Sequence, residues 1–451
     1  MLISTKVKLL FGTDDKRNKM LRKNILFSAF IKVVGLSTSM LIVPITLHYL
    51  ESEQYGIWMT ISSVLYWFSF FDVGLGNGMR NYLTQAISLN DYQKARSYLA
   101  TTFFFLTCIS ILIAVVATVI MVFLDFNKVF NTYSLEGTEL RDIMFIAIAF
   151  TLITFVVKNV GLIFVAQQKY AINDLLSMSG NVIALIIIYM LTRTTKGNLL
   201  YVTAAFTVVT PVIYLLATIP IFSKQPKLRP SAKDIDFHLG KDIVNKGLGF
   251  FFIQITSCLV VFGSSNLIIT HYYGPESVTT YNIAYKYFHL ISIAYIIVIS
   301  PIWNAYTDAQ VKGDWKWIEK TFNKSLLIWG ITLLGGIVML AMCNIFYRMW
   351  VGKDVIIPFT VSICVFFFIN MFNLNNCVTY LLNGLNKIRV QIFTSVIFTF
   401  VYLSTILVAG SKFQIEEVVL CMSLCYASMA AIHLYQCRLL ISQKAKGIWN
   451  K

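Results

Sequence analysis

From Asn24 to Leu50 the chain reads NILFSAFIKVVGLSTSMLIVPITLHYL, and eleven further stretches of similar length and character follow it. About 20 apolar residues in a helix span the hydrocarbon core of a bilayer. Spans are expected at 25–48, 56–73, 99–124, 142–165, 174–192, 199–222, 247–271, 281–303, 325–347, 356–382, 390–410 and 416–438. Composition agrees: 57% of the residues are hydrophobic and only 13% charged, against about 25% charged in soluble domains. The expected fold is therefore an all-α membrane protein of twelve transmembrane helices. A basic arm (1–24) precedes the first span without a small-residue cleavage site, so it reads as retained and not as a signal peptide.

The net charge of +16 is distributed by loop. Alternate loops, together with the arm and the tail (439–451), hold twenty-seven of the 37 Lys and Arg residues, the opposite loops hold seven, and three lie inside spans. An excess of this kind marks the cytoplasmic side, which places both termini there and points to no nucleic-acid partner. The eight cysteines lie in or beside apolar segments, as small buried hydrophobes do, and neither a disulfide framework nor a metal site is expected. No cofactor motif is evident.

The longest basic linker (223–246), with Pro226 and Pro230, separates an N-terminal bundle (25–222) from a C-terminal one (247–438). At an offset of 223, His48-Tyr49 falls on His271-Tyr272, and Asn81, Thr84, Ala86 and Asp91 fall on Asn304, Thr307, Ala309 and Asp314. Six spans keep the orientation of the next six, so the halves should form a parallel repeat about an axis along the membrane normal. The opposite loops are too short to hold a catalytic domain.

Three lysines, Lys32, Lys158 and Lys286, lie inside spans. Ser28, Lys32, Gly35 and Ser39 share a helical face; so do Thr151, Thr154, Lys158 and Gly161, and Asn282, Lys286, His289 and Ser292. Any one lysine could snorkel to the headgroups or bond a neighbouring helix. Three together, with Asp72 at the inner end of the second span the sole acidic candidate to neutralise them, favour a cationic cavity for an anion such as a phosphate. The run DVGLGNGMR from Asp72 to Arg80 lacks the strand that gives a glycine-rich phosphate loop meaning, and reads as a tightly packed helix end with Arg80 at the cytoplasmic mouth. The tenth span carries Asn370, Asn373, Asn375 and Asn376, whose amides could meet sugar hydroxyls or join helices. Of the five histidines only His289, one turn from Lys286, stands out.

The stretch from His48 to Leu99, with YGIW after the first span, DVGLGNGMRN closing the second and NDYQKAR after it, resembles the bacterial polysaccharide exporters, the O-antigen-unit flippases of the multidrug/oligosaccharidyl-lipid/polysaccharide superfamily. The resemblance implies two six-helix bundles around a central cavity in the inner membrane. It also implies an undecaprenyl-diphosphate-linked oligosaccharide as substrate, moved by alternating access, with a polysaccharide polymerase and a chain-length regulator as partners. A transporter, not an enzyme, is the result. A cation-coupled multidrug exporter of the same superfamily is the first alternative, although cationic drugs call for carboxylates where this chain offers Lys32. A membrane glycosyltransferase or polymerase is the second, opposed by the missing external loop.

The charge asymmetry is open to a direct test. Alkaline phosphatase fused after Lys233 is expected to be inactive, and fused after Pro275 active; the opposite pattern overturns the assigned orientation.

Overall fold

The computed structural model describes residues 16–450 apart from 69–78, 80–81, 84–85, 88, 168, 240–263, 300–301 and 354. The described residues form helices and connecting turns, with no strand among them. In chain order the helices of ten residues or more are α1 (Lys16–Phe68), α2 (Tyr92–Phe123), α3 (Gly137–Ala166), α4 (Tyr170–Thr194), α5 (Leu199–Lys224), α6 (Ser264–Tyr273), α7 (Pro275–Ile299), α8 (Ile302–Val311), α9 (Trp315–Trp350), α10 (Phe359–Gly384), α11 (Arg389–Ala409) and α12 (Ile415–Ile441). Ten helices among the described residues are long and apolar enough to cross a membrane. One of the ten, α1, breaks at Glu51, whose φ of 64° is left-handed, and so carries the first two expected spans in one element. The seventh span, expected at 247–271, falls largely outside the described residues; α6 is its end. The chain is a multi-pass, all-α membrane protein.

Contacts divide the chain into two units. The first comprises Met1–Glu51, Leu65–Phe126 and Ser134–Phe252; the second comprises Ser52–Val64, Asn127–Tyr133 and Ile253–Lys451. The part of α1 just beyond the kink thus belongs with the C-terminal helices. Gly56, the glycine of YGIW, shows why: a Cβ there would overlap the carbonyl of Pro275, so α1 and the start of α7 meet backbone to backbone. Thr279 Oγ1 donates to the Ser52 carbonyl (2.6 Å), and Thr132 bonds Glu53, tying Asn127–Tyr133 to the same place.

Within the second unit α10 is the central helix, touching α7, α8, α9 and α12. In its most apolar window 56% of the residues are buried, against 11% for α9, which lies at the periphery. In the first unit α5 packs on α3 and α4, and α2 packs on α3.

The repeat expected from sequence recurs as backbone geometry. Asn90 (φ 57°) and Gly313 (φ 70°) each turn the chain into a helix. Asp91 and Asp314 then cap α2 and α9, accepting at 3.0 Å from the backbone N–H of Lys94 and Trp317. Their own amides reach Ala86 and Ala309 at 2.9 Å. The cores correspond too. Ala86, Ala95 and Leu99 are buried in one unit, as Ala309, Ile318 and Phe322 are in the other. Further on, Val160 and Ile163 match Val378 and Leu381 at an offset of 218, so the second half is five residues shorter in between.

A side-chain oxygen on the first free amides of a helix is worth about 1 kcal/mol. Asp314→Ala should therefore lower the Tm in detergent by about that much stability. For Asp91, the N–H of Lys94 and then the Lys94 side chain hold the carboxyl below the usual carboxylate range. Its stabilisation is present above the ordinary carboxylate pKa and is lost as pH falls through the lowered value. The Tm difference between wild type and Asp91→Ala should therefore close on acidification.

Candidate functional site

Lys286 stands in the middle of α7, facing the part of α1 that lies beyond Glu51. Its ammonium is 3.3 Å from Tyr55 Oη and 3.9 Å from Met59 Sδ, and 5.9 Å from the centre of the Tyr55 ring. Tyr55 is itself buried. Among the described residues no carboxylate stands within ion-pair distance of this ammonium. An ammonium has three donors, and one phenol, one thioether and a ring face satisfy them poorly. Burying a charge without an anion or water costs several kcal/mol.

One turn away the amide nitrogen of Asn282 is hydrogen-bonded. Asn282 Nδ2 donates to Asn266 Oδ1 (2.9 Å) and to the Val278 carbonyl (2.9 Å). Asn266 Nδ2, on α6, donates to Ser63 Oγ (2.6 Å) and the Met59 carbonyl (3.3 Å). The hydroxyls of Thr60 and Thr270 are hydrogen-bonded to each other at 2.5 Å. This seam joins α1, α6 and α7 through buried hydrogen bonds and holds Tyr55 and Met59 against Lys286. On the other side His289 stacks on Tyr285 with ring centres 5.1 Å apart, its Nδ1 3.4 Å from the Tyr285 hydroxyl.

The amides of α10 divide by role. Asn375 Oδ1 meets His433 Nδ1 (2.9 Å), and His433 Nε2 meets Thr394 Oγ1 (2.8 Å), a buried chain that joins α10, α12 and α11. Asn370 Nδ2 donates to the Phe366 carbonyl (2.8 Å), while its Oδ1 is buried without a partner. Asn373 is wholly buried, and neither amide atom has a partner among the described residues. Asn376 is half-buried, its carbonyl accepting from Thr379. No hydrogen bond links these three to Lys286 among the described residues.

In the first unit Lys158 marks the point where α3 tightens into a 3-10 turn (Lys158–Val160), a local change of pitch that often accompanies function or strain. Its ammonium lies 5.8 Å from the centre of the Phe155 ring. Thr154, on the same face, returns its hydroxyl to the Phe150 carbonyl (2.8 Å). Ser39 is exposed. The side chains of Ser28 and Lys32, and residues Asp72 and Arg80, lie outside the described ones.

Periodicity placed Asn282, Lys286 and His289 on one helix face, and the structure sets Lys286 against Tyr55 and Met59 of α1, while Asn282 is joined to that segment through Asn266. It missed Tyr55, Met59, Ser63 and Asn266. The signal for Tyr55 was its place in YGIW; Asn266 had none beyond being an amide in an apolar run.

Comparison with known proteins places these observations. Residues 21–303 match the family described as "Polysaccharide biosynthesis protein". A Salmonella typhimurium protein named for O-antigen transport is 22% identical over 358 residues, covering 76% of this chain and 78% of that one. A Yersinia pseudotuberculosis protein named for O-antigen export is 22% identical over 282 residues, covering 60% and 61%. Among solved structures, an inward-facing multidrug resistance MATE family transporter of the MOP superfamily superposes with a TM-score of 0.72 at 14% identity, covering 92% of this chain and 95% of that one. A MOP superfamily transporter from Pyrococcus furiosus gives 0.58 at 15% identity, covering 98% and 99%. At such identities the structural matches establish the fold alone.

The seam yields an expected outcome. Asn266→Leu leaves the buried Asn282 amide and the Ser63 hydroxyl short of a partner, at a cost of about 1–3 kcal/mol. Its Tm in detergent should fall clearly below that of Ser62→Ala, whose hydroxyl bonds only its own helix at the Trp58 carbonyl.

Proposed function

This chain belongs to the polysaccharide biosynthesis protein family, and from that membership we propose that it is a flippase for lipid-linked oligosaccharide units in surface polysaccharide assembly. The substrate is an undecaprenyl-diphosphate-linked repeat unit, carried across the bacterial inner membrane by alternating access with both termini in the cytoplasm. Transport, and not catalysis, is the activity. A polymerase and a chain-length regulator are the partners that would consume what it delivers. The halves 25–222 and 247–438 are its two transport bundles.

The observation that carries this reading is Lys286. An ammonium sits at membrane depth against a phenol and a thioether, with no carboxylate beside it among the described residues. A diphosphate supplies the missing charge, and charge-assisted hydrogen bonds to it are about twice as strong as neutral ones. His289 and Asn282 flank the lysine on the same face and are proposed to support it. Lys32 and Lys158 carry the same expectation in the first half, Arg80 meets the incoming headgroup, and Asp72, Ser28 and Ser39 line its path. The amides of Asn370, Asn373 and Asn376 are proposed to serve the sugar hydroxyls. For a cationic drug the same lysine would repel the cargo, so the multidrug reading finds no support in this part of the second unit.

Lys286→Gln should strongly impair export, and lipid-linked units should accumulate on the cytoplasmic face, while Lys286→Arg retains much of the activity. The same pair of substitutions at Lys32 and Lys158 should follow the pattern. Full export by the Lys32→Gln, Lys286→Gln double variant at normal membrane abundance would falsify the reading.

A further inference from the structure

The pseudo-repeat allows α2 and α9 to be compared residue by residue, and they differ at one end. Along the apolar part both present the same face outward. Ile111, Val115 and Val119 of α2 are exposed, and so are their counterparts Leu334, Val338 and Met342 of α9. Toward the capped, basic end the correspondence breaks. On α2 the linker that follows α5 lies over this face. Its two 3-10 turns, Pro226–Leu228 and Ala232–Asp234, rest on the helix. The amide of Asp236 donates to Thr101 Oγ1 at 2.9 Å, and the ring of Phe237 meets that of Phe104 at 5.5 Å. Thr101 is 0% exposed as a result.

The equivalent positions on α9 are Lys324 and Leu327, and both are exposed. The tail that follows α12 does not cover them: its Trp449 ring meets Tyr435 at 5.3 Å, and its Trp449 and Asn450 carbonyls accept from Gln436 and Lys387. What remains is an open groove of about 450 Å³ lined by Lys316, Glu319, Lys320, Asn323, Lys324 and Leu327. Lys316, Lys320 and Lys324 follow one another at i, i+4 and i+8, a ladder of ammoniums on one side of the helix. Directly beyond them the same stripe becomes purely apolar, from Leu327 through Ile331 to Leu334, all exposed.

We propose that this groove binds an anionic phospholipid of the adjacent leaflet, its phosphate held by Lys316, Lys320 and Lys324 and its acyl chains lying along Leu327, Ile331 and Leu334. Charge complementarity selects the occupant. Three ammoniums against one carboxylate at the end of a membrane-spanning apolar stripe match a headgroup that is both negative and attached to hydrocarbon. A zwitterionic headgroup brings a positive charge into the ladder and gains little. The lipid occupies in the second unit the place that the linker occupies in the first, with hydrocarbon where Phe237 packs and phosphate near where the Asp236 amide sits. The site lies on the peripheral face of α9 and is independent of the transported substrate.

The test is native mass spectrometry of the full-length protein purified from membranes and re-equilibrated with an equimolar mixture of phosphatidylglycerol and phosphatidylethanolamine. Wild type should retain phosphatidylglycerol adducts preferentially. Each Lys→Gln change at 316, 320 and 324 should weaken that retention by about fivefold, whereas Lys353→Gln, Lys412→Gln should leave it unchanged. If the triple variant accumulates poorly, Lys320→Gln alone should lose the rise in Tm that phosphatidylglycerol confers on wild type over phosphatidylethanolamine. Undiminished phosphatidylglycerol retention in the triple variant, an equal loss of both lipids, or adducts with the mass of a polyprenyl diphosphate in place of phospholipid would each overturn the proposal.

Discussion

A backbone amide that crosses hydrocarbon has no water to bond, so each must find its partner inside the protein. Many hydroxyls of this chain are satisfied in the same way. Thr60, Ser63, Thr207, Thr394 and Ser423 all return their Oγ to the carbonyl four residues back on their own helix. Such a bond satisfies the hydroxyl within its own helix, and at Ser63 and Thr394 the same oxygen also meets a side chain of another helix. Among the bonds that cross between helices, two seams of the second unit each join three helices: Ser63–Asn266–Asn282, and Asn375–His433–Thr394.

Lys286 owes its setting to the first of these seams. The seam brings α1 beyond the kink against α6 and α7, and the contact is close because Gly56 has no Cβ to hold the Pro275 carbonyl away. Beside the Lys286 ammonium, the Asn266–Asn282 pair is hydrogen-bonded across α6 and α7. Asn282 holds the helices together, and the Lys286 ammonium meets Tyr55 and Met59 and no carboxylate among the described residues.

The two halves show how a repeat diverges once its core is set. Ala86 and Ala309, Leu99 and Phe322, and the caps Asp91 and Asp314 remain equivalent because they close the same turn and fill the same core. Surface positions are under no such constraint. Thr101 is buried beneath the linker while Lys324 stands open, so related faces of α2 and α9 meet different surroundings.

The apolar runs by themselves determined that this chain is a bundle of membrane helices, since a stretch of that length and composition has no other stable form in lipid. The charge asymmetry and the echo of Ala86 and Asp91 in Ala309 and Asp314 carried the repeat, because turns and caps are local. The spacing of Asn282, Lys286 and His289 was legible for the same reason: 3.6 residues per turn is a property of one helix. Only the tertiary structure decided that Tyr55 and Met59 are the residues Lys286 meets, that Asn266 and not a ligand takes the Asn282 amide, and that Asn373 is left wholly buried without a partner among the described residues. Those outcomes depend on which helices touch, and in an apolar bundle that is settled by close approach at positions such as Gly56, between segments more than two hundred residues apart in the chain.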